Sequence, residues 1–566
     1  MTNKKYTIFS ILILFFLSAA IMLRQLKCAH YFSCIIEDSY TYTSWAWQFI
    51  QALKEGVIYP RWLPLNFWGY GGPNFILYPP LAFYMVAFFY IFTGSIIAAI
   101  NITKFAALFL SGTGMFFLVK EFYSEKVALL SASFFIVFPY NIFQFYSVGT
   151  FASVISFIWF SPIIFFIYRY IKNRNHKDII YAGVCYGGLI LTHLINAYML
   201  TFIIMAFIIY MTVTEKRPKD LVIIPVVTAA GLLISAAYVL PLIYEKKLLN
   251  IKYFIGTRGG FRFDFHNFFI LPSTTGALPS GHLWPVYYNT FVFFIVFFCL
   301  LILLFLRQVI KLRDMRRTED VNAINNFFLG TAVCSMLLLF GISRFIWETI
   351  PFFEYIQFPV RWLNITAYAV VFLSAAVFWH PATLYKTKRR YIFFVALLFL
   401  SCLLLDFRYI TSAHVFTRQD LEPVRAANWN LEHMPIWVGV EKIDRTNDYK
   451  EKVTITGKGK AEIVVWRSAD RVIEIKAEEP VTLRIRTFNF PGWKAYADGK
   501  QTEIKTEEGA GAILVDIPKG EHRLVLKFED TPVRYYSKII SVISFFIMVL
   551  LVLIPKKTNR NSITGI

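Results

Sequence analysis

The chain has 566 residues, of which 57% are hydrophobic, 18% aromatic and only 16% charged, and its mean hydropathy is +0.54. Soluble domains run near 45–50% apolar and about 25% charged, so an ordinary soluble protein is excluded and a polytopic α-helical membrane protein is expected. The formal charge of +21 does not imply a nucleic-acid partner: most Lys and Arg stand in short loops between apolar runs, and no soluble stretch carries a basic reading module.

Lys4 and Lys5 precede an apolar stretch ending near Leu23, the layout of a secretory signal. The stretch is long and lacks a convincing small-x-small cleavage site, so an uncleaved first helix is expected. Further apolar runs fall at 77–93, 96–119, 127–146, 153–171, 178–193, 196–213, 220–243, 288–307, 325–342, 362–380, 391–405 and 538–555. A membrane core of about 30 Å needs roughly 20 apolar residues per helix. The basic stretches Met1–Lys5, Lys172–Lys177, Lys216–Lys219, Arg307–Arg317, Lys386–Arg390 and the tail from Lys556 are expected to be cytoplasmic. That places 24–76, 244–287, 343–361 and 406–536 outside. With both termini inside, about 12–13 transmembrane helices are expected, and one of the three runs between 77 and 147 must be short, re-entrant or merged.

Cys185, Cys299, Cys334 and Cys402 lie in apolar runs and read as small buried hydrophobes. Cys28 and Cys34 lie close together past the first helix. A disulfide and two free thiols are both open there, because spacing does not fix the geometry.

Residues 406–536 are of different material. Alternating segments at Val453–Thr456, Glu462–Trp466, Val472–Lys476, Thr482–Arg486, Ile513–Ile517 and Arg523–Phe528 are separated by Gly, Asp and Pro. Asp498-Gly499 is a hairpin cue. The spacing predicts a small β-sandwich, extracytoplasmic and tethered by the last helix. The division expected is a transmembrane domain over 1–405, the β domain over 406–536, and a final helix with a cytoplasmic tail over 537–566.

The loop 24–76 carries Glu37-Asp38, then Tyr59-Pro60-Arg61-Trp62 and Gly69-Tyr70-Gly71-Gly72-Pro73-Asn74-Phe75, leading into Tyr78-Pro79-Pro80-Leu81. Two acids beside an interface can hold a divalent cation or act as a general base; they read equally well as solvated carboxylates. Trp45, Trp47, Trp62 and Trp68 suit stacking on sugar faces, and equally an interfacial aromatic belt.

Other elements follow in order: Leu191-Thr192-His193; Ser235-Ala236-Ala237-Tyr238-Val239-Leu240-Pro241 with Glu245; Gln357-Phe358-Pro359-Val360-Arg361-Trp362; and Phe490-Pro491-Gly492-Trp493 through Asp498-Gly499-Lys500 to Pro518-Lys519-Gly520-Glu521-His522. Taken together, this order resembles the bacterial YfhO-like group and the related 6-pyruvoyl-tetrahydropterin synthase-related membrane proteins of the GT-C glycosyltransferase superfamily. The resemblance covers nearly the whole chain.

It implies a GT-C-like fold and a membrane glycosyltransferase of the bacterial cytoplasmic membrane. Such an enzyme moves a sugar from a polyprenyl-phosphate carrier to an envelope polymer, lipid or protein. The family's essential acid maps onto Asp38, with Glu37 beside it. Any metal, a divalent cation such as Mg2+ or Mn2+, would sit at Asp38. Arg361 is the expected partner for the donor phosphate, since guanidinium matches phosphate bidentately, although a helix-end Arg also snorkels to the interface. His193 is the second expected contact, or else a hydrogen-bonded helix end. Arg258, Arg262, Asp264, His266 and Gln357 are further candidates for the substrate region, though the 244–287 loop reads more simply as solvated. One departure stands out. Where relatives carry an Arg-Gly-Ala-x-x-Glu-like element, this chain has Tyr146-Ser147-Val148-Gly149-Thr150-Phe151-Ala152-Ser153, without the second acid. A lipid-carrier transporter or flippase, and a non-catalytic glycan-binding scaffold, are the alternatives.

Overall fold

Most side chains between residues 6 and 23 are apolar, so this segment satisfies its backbone internally as helix α1 (Thr2–Lys27). The computed structural model describes residues 2–27, 32–33, 38–148, 150–252, 298, 301–302, 319–379, 388–412, 415–416, 430–443 and 451–554. Cys28, Cys34 and Cys299 lie outside them, as does nearly all of the expected run 288–307.

After α1 come α2 (Asp38–Lys54), the short α3 (Asn74–Leu77), α4 (Leu81–Thr93), α5 (Ile96–Lys120), α6 (Glu125–Ile136) and α7 (Pro139–Phe143). A π-helical turn over Gln144–Val148 leads to α8 (Phe151–Asn173), α9 (His176–Thr192), α10 (Leu194–Thr214), α11 (Ile223–Ile234) and α12 (Ala236–Glu245). Beyond the next described boundary lie α13 (Glu319–Leu337), α14 (Arg344–Thr349), α15 (Leu363–Trp379), α16 (Lys388–Ser412) and, after the β domain, α17 (Pro532–Leu553). Among the described residues, 7 helices are long and apolar enough to cross a membrane, or up to 9 if each of two bent pairs is one span. The pairs bend by 84° at Ser235 and by 94° between α13 and the segment from Gly341.

The short run between 77 and 147 is α4. Its 13 residues reach about 20 Å at 1.5 Å per residue, less than the hydrocarbon thickness. Gly94 ends it in the left-handed region, and Ser95 caps α5 by accepting the N–H of Ala98.

Helix α8 gives the bundle its polarity, with Ser153 near one end and Lys172 near the other. At the Lys172 end, Lys172 pairs with Glu215 and with Asp320 at 2.5 Å, while Arg174 grips Asp220 through two bonds of 2.6 and 2.7 Å. The β domain stands at the Ser153 end. Cys334 departs from expectation: it is exposed on the bundle surface, because its position on α13 faces away from the neighbouring helices.

The β domain is two sheets, ordered β3-β6-β10-β9 and β4-β5-β11-β7-β8. The strands are β3 (Val453–Thr456), β4 (Gly459–Trp466), β5 (Asp470–Ala477), β6 (Val481–Phe488), β7 (Trp493–Ala497), β8 (Lys500–Thr502), β9 (Lys505–Thr506), β10 (Ala512–Ile517) and β11 (Gly520–Phe528). A separate two-residue pair, β1 (Phe32–Ser33) with β2 (Val415–Phe416), ties the first loop to the chain after α16. Strand β5 shows the alternation plainly, burying Ile473, Ile475 and Ala477 and exposing Glu474 and Lys476. Asp498 and Gly499, at φ 50° and 82°, turn β7 into β8.

The β domain shares its core with the first loop. Trp62 packs edge-on against Trp493 at 5.4 Å, and Tyr70 stacks on Phe488 at 5.0 Å. The N–H of Phe488 donates to the Tyr70 carbonyl, and Arg486 donates to that of Trp68. Gly71, at φ +73°, lies so close to Trp62 that a Cβ would stand 2.4 Å from Nε1. Trp45, Trp62 and Trp68 are therefore buried packing residues, which corrects their reading as sugar platforms or belt anchors.

Candidate active site at the β-domain end of the bundle

Asp38 is the first residue of α2. Glu37 lies outside the described residues, as do Arg258, Arg262, Asp264 and His266. Helix α2 is held by its aromatic face. Tyr42 lies 6.2 Å from Phe151, the first residue of α8, and Trp45 meets His433 edge-on at 5.1 Å. His433 is fully enclosed there, and burial pushes its imidazole down to about 3, so it is neutral.

Next to Phe151 begins a buried network of neutral groups. The Asn196 amide donates to the carbonyl of Ser153, to its hydroxyl at 3.1 Å and to the Ser156 hydroxyl at 2.7 Å. Asn364 donates to Ser153 Oγ and to Asn196 Oδ1, both at 3.4 Å. Tyr140 donates to Asn364, Gln144 donates to Tyr140, and Thr150 donates to Gln144. Four sequence-distant segments are thereby joined: the π turn with α7, the start of α8, the start of α10 and the start of α15. Each group is satisfied, which makes such a network rigid.

The two cationic candidates stand at the edge of this network. His193 caps α10: its Nδ1 accepts the N–H of Asn196 at 3.1 Å. A ring that accepts at Nδ1 is neutral and carries its proton on Nε2. Arg361 lies near enough for its charge to act on the His193 ring. The guanidinium donates to the Ile356 carbonyl at 2.9 Å and lies over the Phe358 ring at 5.1 Å. The same carbonyl accepts the N–H of Phe358 at 2.8 Å, closing a three-residue turn. Its central residue is Gln357, at φ 64° and ψ −51°. This γ-turn of positive φ is rare and strained. Gln357 thus shapes the backbone that carries Arg361.

The chain matches the family model described as "6-pyruvoyl-tetrahydropterin synthase related domain; membrane protein" over residues 75–412. It belongs to that family. No curated protein matches. Among solved structures, the Archaeoglobus fulgidus oligosaccharyltransferase in its apo form is similar at 14% identity and TM-score 0.47, covering 74% of this chain and 57% of that one. The same archaeal enzyme in complex with an inhibitory peptide and a dolichol-phosphate is similar at 14% identity and TM-score 0.44, with the same coverage. This chain therefore spans 57% of the length of those proteins, and likeness at that level carries no argument about the reaction.

Within the family member described here, the elements noted along the sequence have physical tasks. Glu245 forms an almost fully buried bidentate pair with Arg534 of α17, at 2.9 to 3.1 Å. Arg534 also donates to the Pro491 carbonyl at 2.8 Å, and a Cβ on Gly492 would stand 2.6 Å from its Nη1. Arg61 donates to the carbonyl of Ala237 and lies over the Tyr59 ring at 3.9 Å. Arg534 and Glu245 thereby join the β domain, α12 and α17, and Arg61 joins the first loop to α12.

Where the second acid is absent, Ser153 is a hub of the neutral network. Asn196 and Asn364 were missed from the sequence, although each stands three residues after a candidate cation. Among the described residues no three of His, Cys, Asp and Glu come together to hold a metal ion, and Glu37 lies outside those residues.

Proposed function

We propose that this chain is a glycosyltransferase that moves a sugar from a polyprenyl-phosphate donor to an envelope acceptor on the outer face of the cytoplasmic membrane. One observation carries the reading. Helix α2, opened by Asp38, packs through Tyr42 on the start of α8, and the Ser153 network ties that point to His193 and to Arg361. That arrangement supports placing the acid-bearing helix and the guanidinium of Arg361 at one end of an apolar bundle, where a lipid phosphate would lie.

In this mechanism the Asp38 carboxylate takes the proton of an acceptor hydroxyl as its oxygen attacks the anomeric carbon. The new carbon–oxygen bond forms on the face opposite the breaking bond to the phosphate oxygen. The departing lipid phosphate gains negative charge, and Arg361 receives it through two N–H donors. Neutral His193 adds an Nε2–H donor without competing for the carboxylate's proton.

The test uses purified full chain, a radiolabelled polyprenyl-phosphate sugar and an envelope fraction as acceptor. Arg361→Ala is expected to lower transfer by about 10²–10³, with Arg361→Lys intermediate. Asp38→Asn is expected to abolish transfer without lowering the melting temperature. Transfer by folded Asp38→Asn at the wild-type rate would show that Asp38 is not the base.

A transporter has one specific observation in its favour. Lys104, fully buried within α5, donates to the Phe145 carbonyl of the π turn, and Asp406 of α16 is buried with neither oxygen hydrogen-bonded among the described residues. Ionisable groups inside apolar helices mark transport paths. Vesicles holding a fluorescent polyprenyl lipid distinguish the two readings: Lys104→Met and Asp406→Asn slow flipping only if this path is used.

A further inference from the structure

Of the four tryptophans in the first loop, three are core residues and one is not. Trp47, on α2, is half-exposed and belongs to neither hydrophobic core among the described residues. It lines a cavity of about 300 Å³ between the second half of α2 and the β4–β5 turn of the β domain, a volume at the lower end of small-molecule sites. Trp466 at the end of β4 also lines it. The two sides are tied by Glu55, whose Oε2 accepts the N–H of Ser468 at 2.7 Å. The other oxygen of Glu55 takes part in no hydrogen bond among the described residues. Gln51 and Arg467 also line the cavity, and their side chains make no hydrogen bond among the described residues.

The chemistry of this lining is selective. The Trp47 indole supplies a flat apolar face, Trp466 holds Arg471 and Lys452 over its ring at 4.5 and 5.3 Å, and a carboxamide, a carboxylate and the cations Lys452, Arg467 and Arg486 supply polar donors and acceptors. A pyranose presents those same complements: a C–H face to lie on an aromatic ring, and neighbouring hydroxyls that donate and accept together. An alkyl chain would leave the polar groups unsatisfied.

The place fits as well. Trp47 lies nine residues after Asp38 on one helix, about 14 Å along the axis. A chain molecule seated here would hold its reacting end towards the start of α2, and its remote binding energy would orient that end. We propose that the cavity between Trp47 and Trp466 is a glycan subsite that holds a pyranose of the acceptor, remote from the reacting sugar. The proposal rests on the glycosyl-transfer reading for the word acceptor, and on the cavity alone for the glycan.

The test is direct binding to the full chain in nanodiscs, followed by saturation-transfer NMR and tryptophan fluorescence. The probes are tetramers of β-linked N-acetylglucosamine, of α-linked glucose, and of alternating glucuronate and N-acetylglucosamine. At least one tetramer is expected to bind, and Trp47→Ala to weaken it about thirtyfold, as for a hot-spot tryptophan. Trp47→Phe should retain most of the affinity, and Gln51→Leu, a surface change that keeps the fold, should weaken binding by roughly tenfold. Arg361→Ala should leave binding unchanged. The proposal is overturned if no tetramer binds, or if Trp47→Ala and Gln51→Leu both bind as the wild type does. Should Trp47→Ala fail to fold, Gln51→Leu decides. Glycan binding without any sugar transfer by the wild type would sink the transfer reading and leave the subsite standing. Transfer with an unchanged acceptor KM in Gln51→Leu and Trp47→Phe, with no tetramer bound, would do the reverse.

Discussion

Gln357 carries more consequence than its chemistry suggests. A side chain held at φ 64° costs of order 1–3 kcal/mol, and the turn survives because the Ile356 carbonyl takes both the Phe358 N–H and the Arg361 guanidinium. Gln357→Gly is therefore expected to fold at least as well as the wild type, whereas Gln357→Pro cannot adopt the angle and should not accumulate. Quantitative expression with thermal melting checks both; equal yields of the two variants would remove the strained turn from the account. At this scale the sequence was partly legible. Arg361 and His193 could be picked out as polar groups at helix ends, and the structure places them within electrostatic reach of each other. The Ser153, Asn196 and Asn364 network could not, because small polar residues in apolar runs acquire meaning only when four helices bring them together. Nor does a residue string reveal that Gln357 has positive φ.

Two elements give predictions, and the first is the attachment of the β domain to α12 and α17. Glu245 and Arg534 are almost fully buried, with side-chain exposures of 6% and 0%. Breaking such a pair strands a charge and costs about 3–5 kcal/mol, whereas replacing both partners with apolar residues of similar volume is close to neutral. Glu245→Leu and Arg534→Met should each depress the melting temperature sharply, and the double variant should recover most of it. A double variant no better than either single one would mean the pair does not act as a unit.

The hairpin supplies the other prediction. Asp498 Oδ2 faces His522 Nδ1 at 2.7 Å, and Asp498 Oδ1 accepts the N–H of Arg523. The hydrogen bond that the His522 ring donates to the Asp498 carboxylate raises the His522 pKa above its ordinary value. A raised folded-state value means the contribution is complete below the unfolded pKa of about 6.5 and fades as pH climbs through the folded one. Melting of the full chain should fall slightly over that window, and His522→Gln should flatten the slope. A wild-type slope persisting in His522→Gln would assign it to another group.

The strands were legible in the sequence because alternation and the Asp498-Gly499 turn are local. The short strands β8 and β9 escaped because two or three residues carry no period, and the kinks at Ser235 and before Gly341 because apolar composition does not record direction.

At the scale of the whole molecule, charge is sorted by end. Lys172, Arg174 and Arg217 gather with Glu215, Asp220 and Asp320 at one end, while α2, the γ-turn and the β domain occupy the other. The positive-inside bias gives an orientation that can be measured. A cysteine replacing Lys177 should react with an impermeant maleimide only in inverted vesicles, and one replacing Lys500 only in intact cells. Labelling of both from the same side would contradict the orientation on which an outward-facing reaction depends.

The common core of the first loop and the β domain also sets a timetable for biogenesis. Tyr70 and Arg484 are hydrogen-bonded across 414 residues of sequence. At about 5–20 residues per second, the aromatic loop waits roughly 20–80 s for the strands that will cover it. During that interval Trp62, Phe67 and Tyr70 lack their permanent neighbours, while the helices between them are threading into the bilayer. A ribosome stalled before residue 480 is therefore expected to release a bundle whose Trp62, Phe67 and Tyr70 lack the strands that cover them in the full chain.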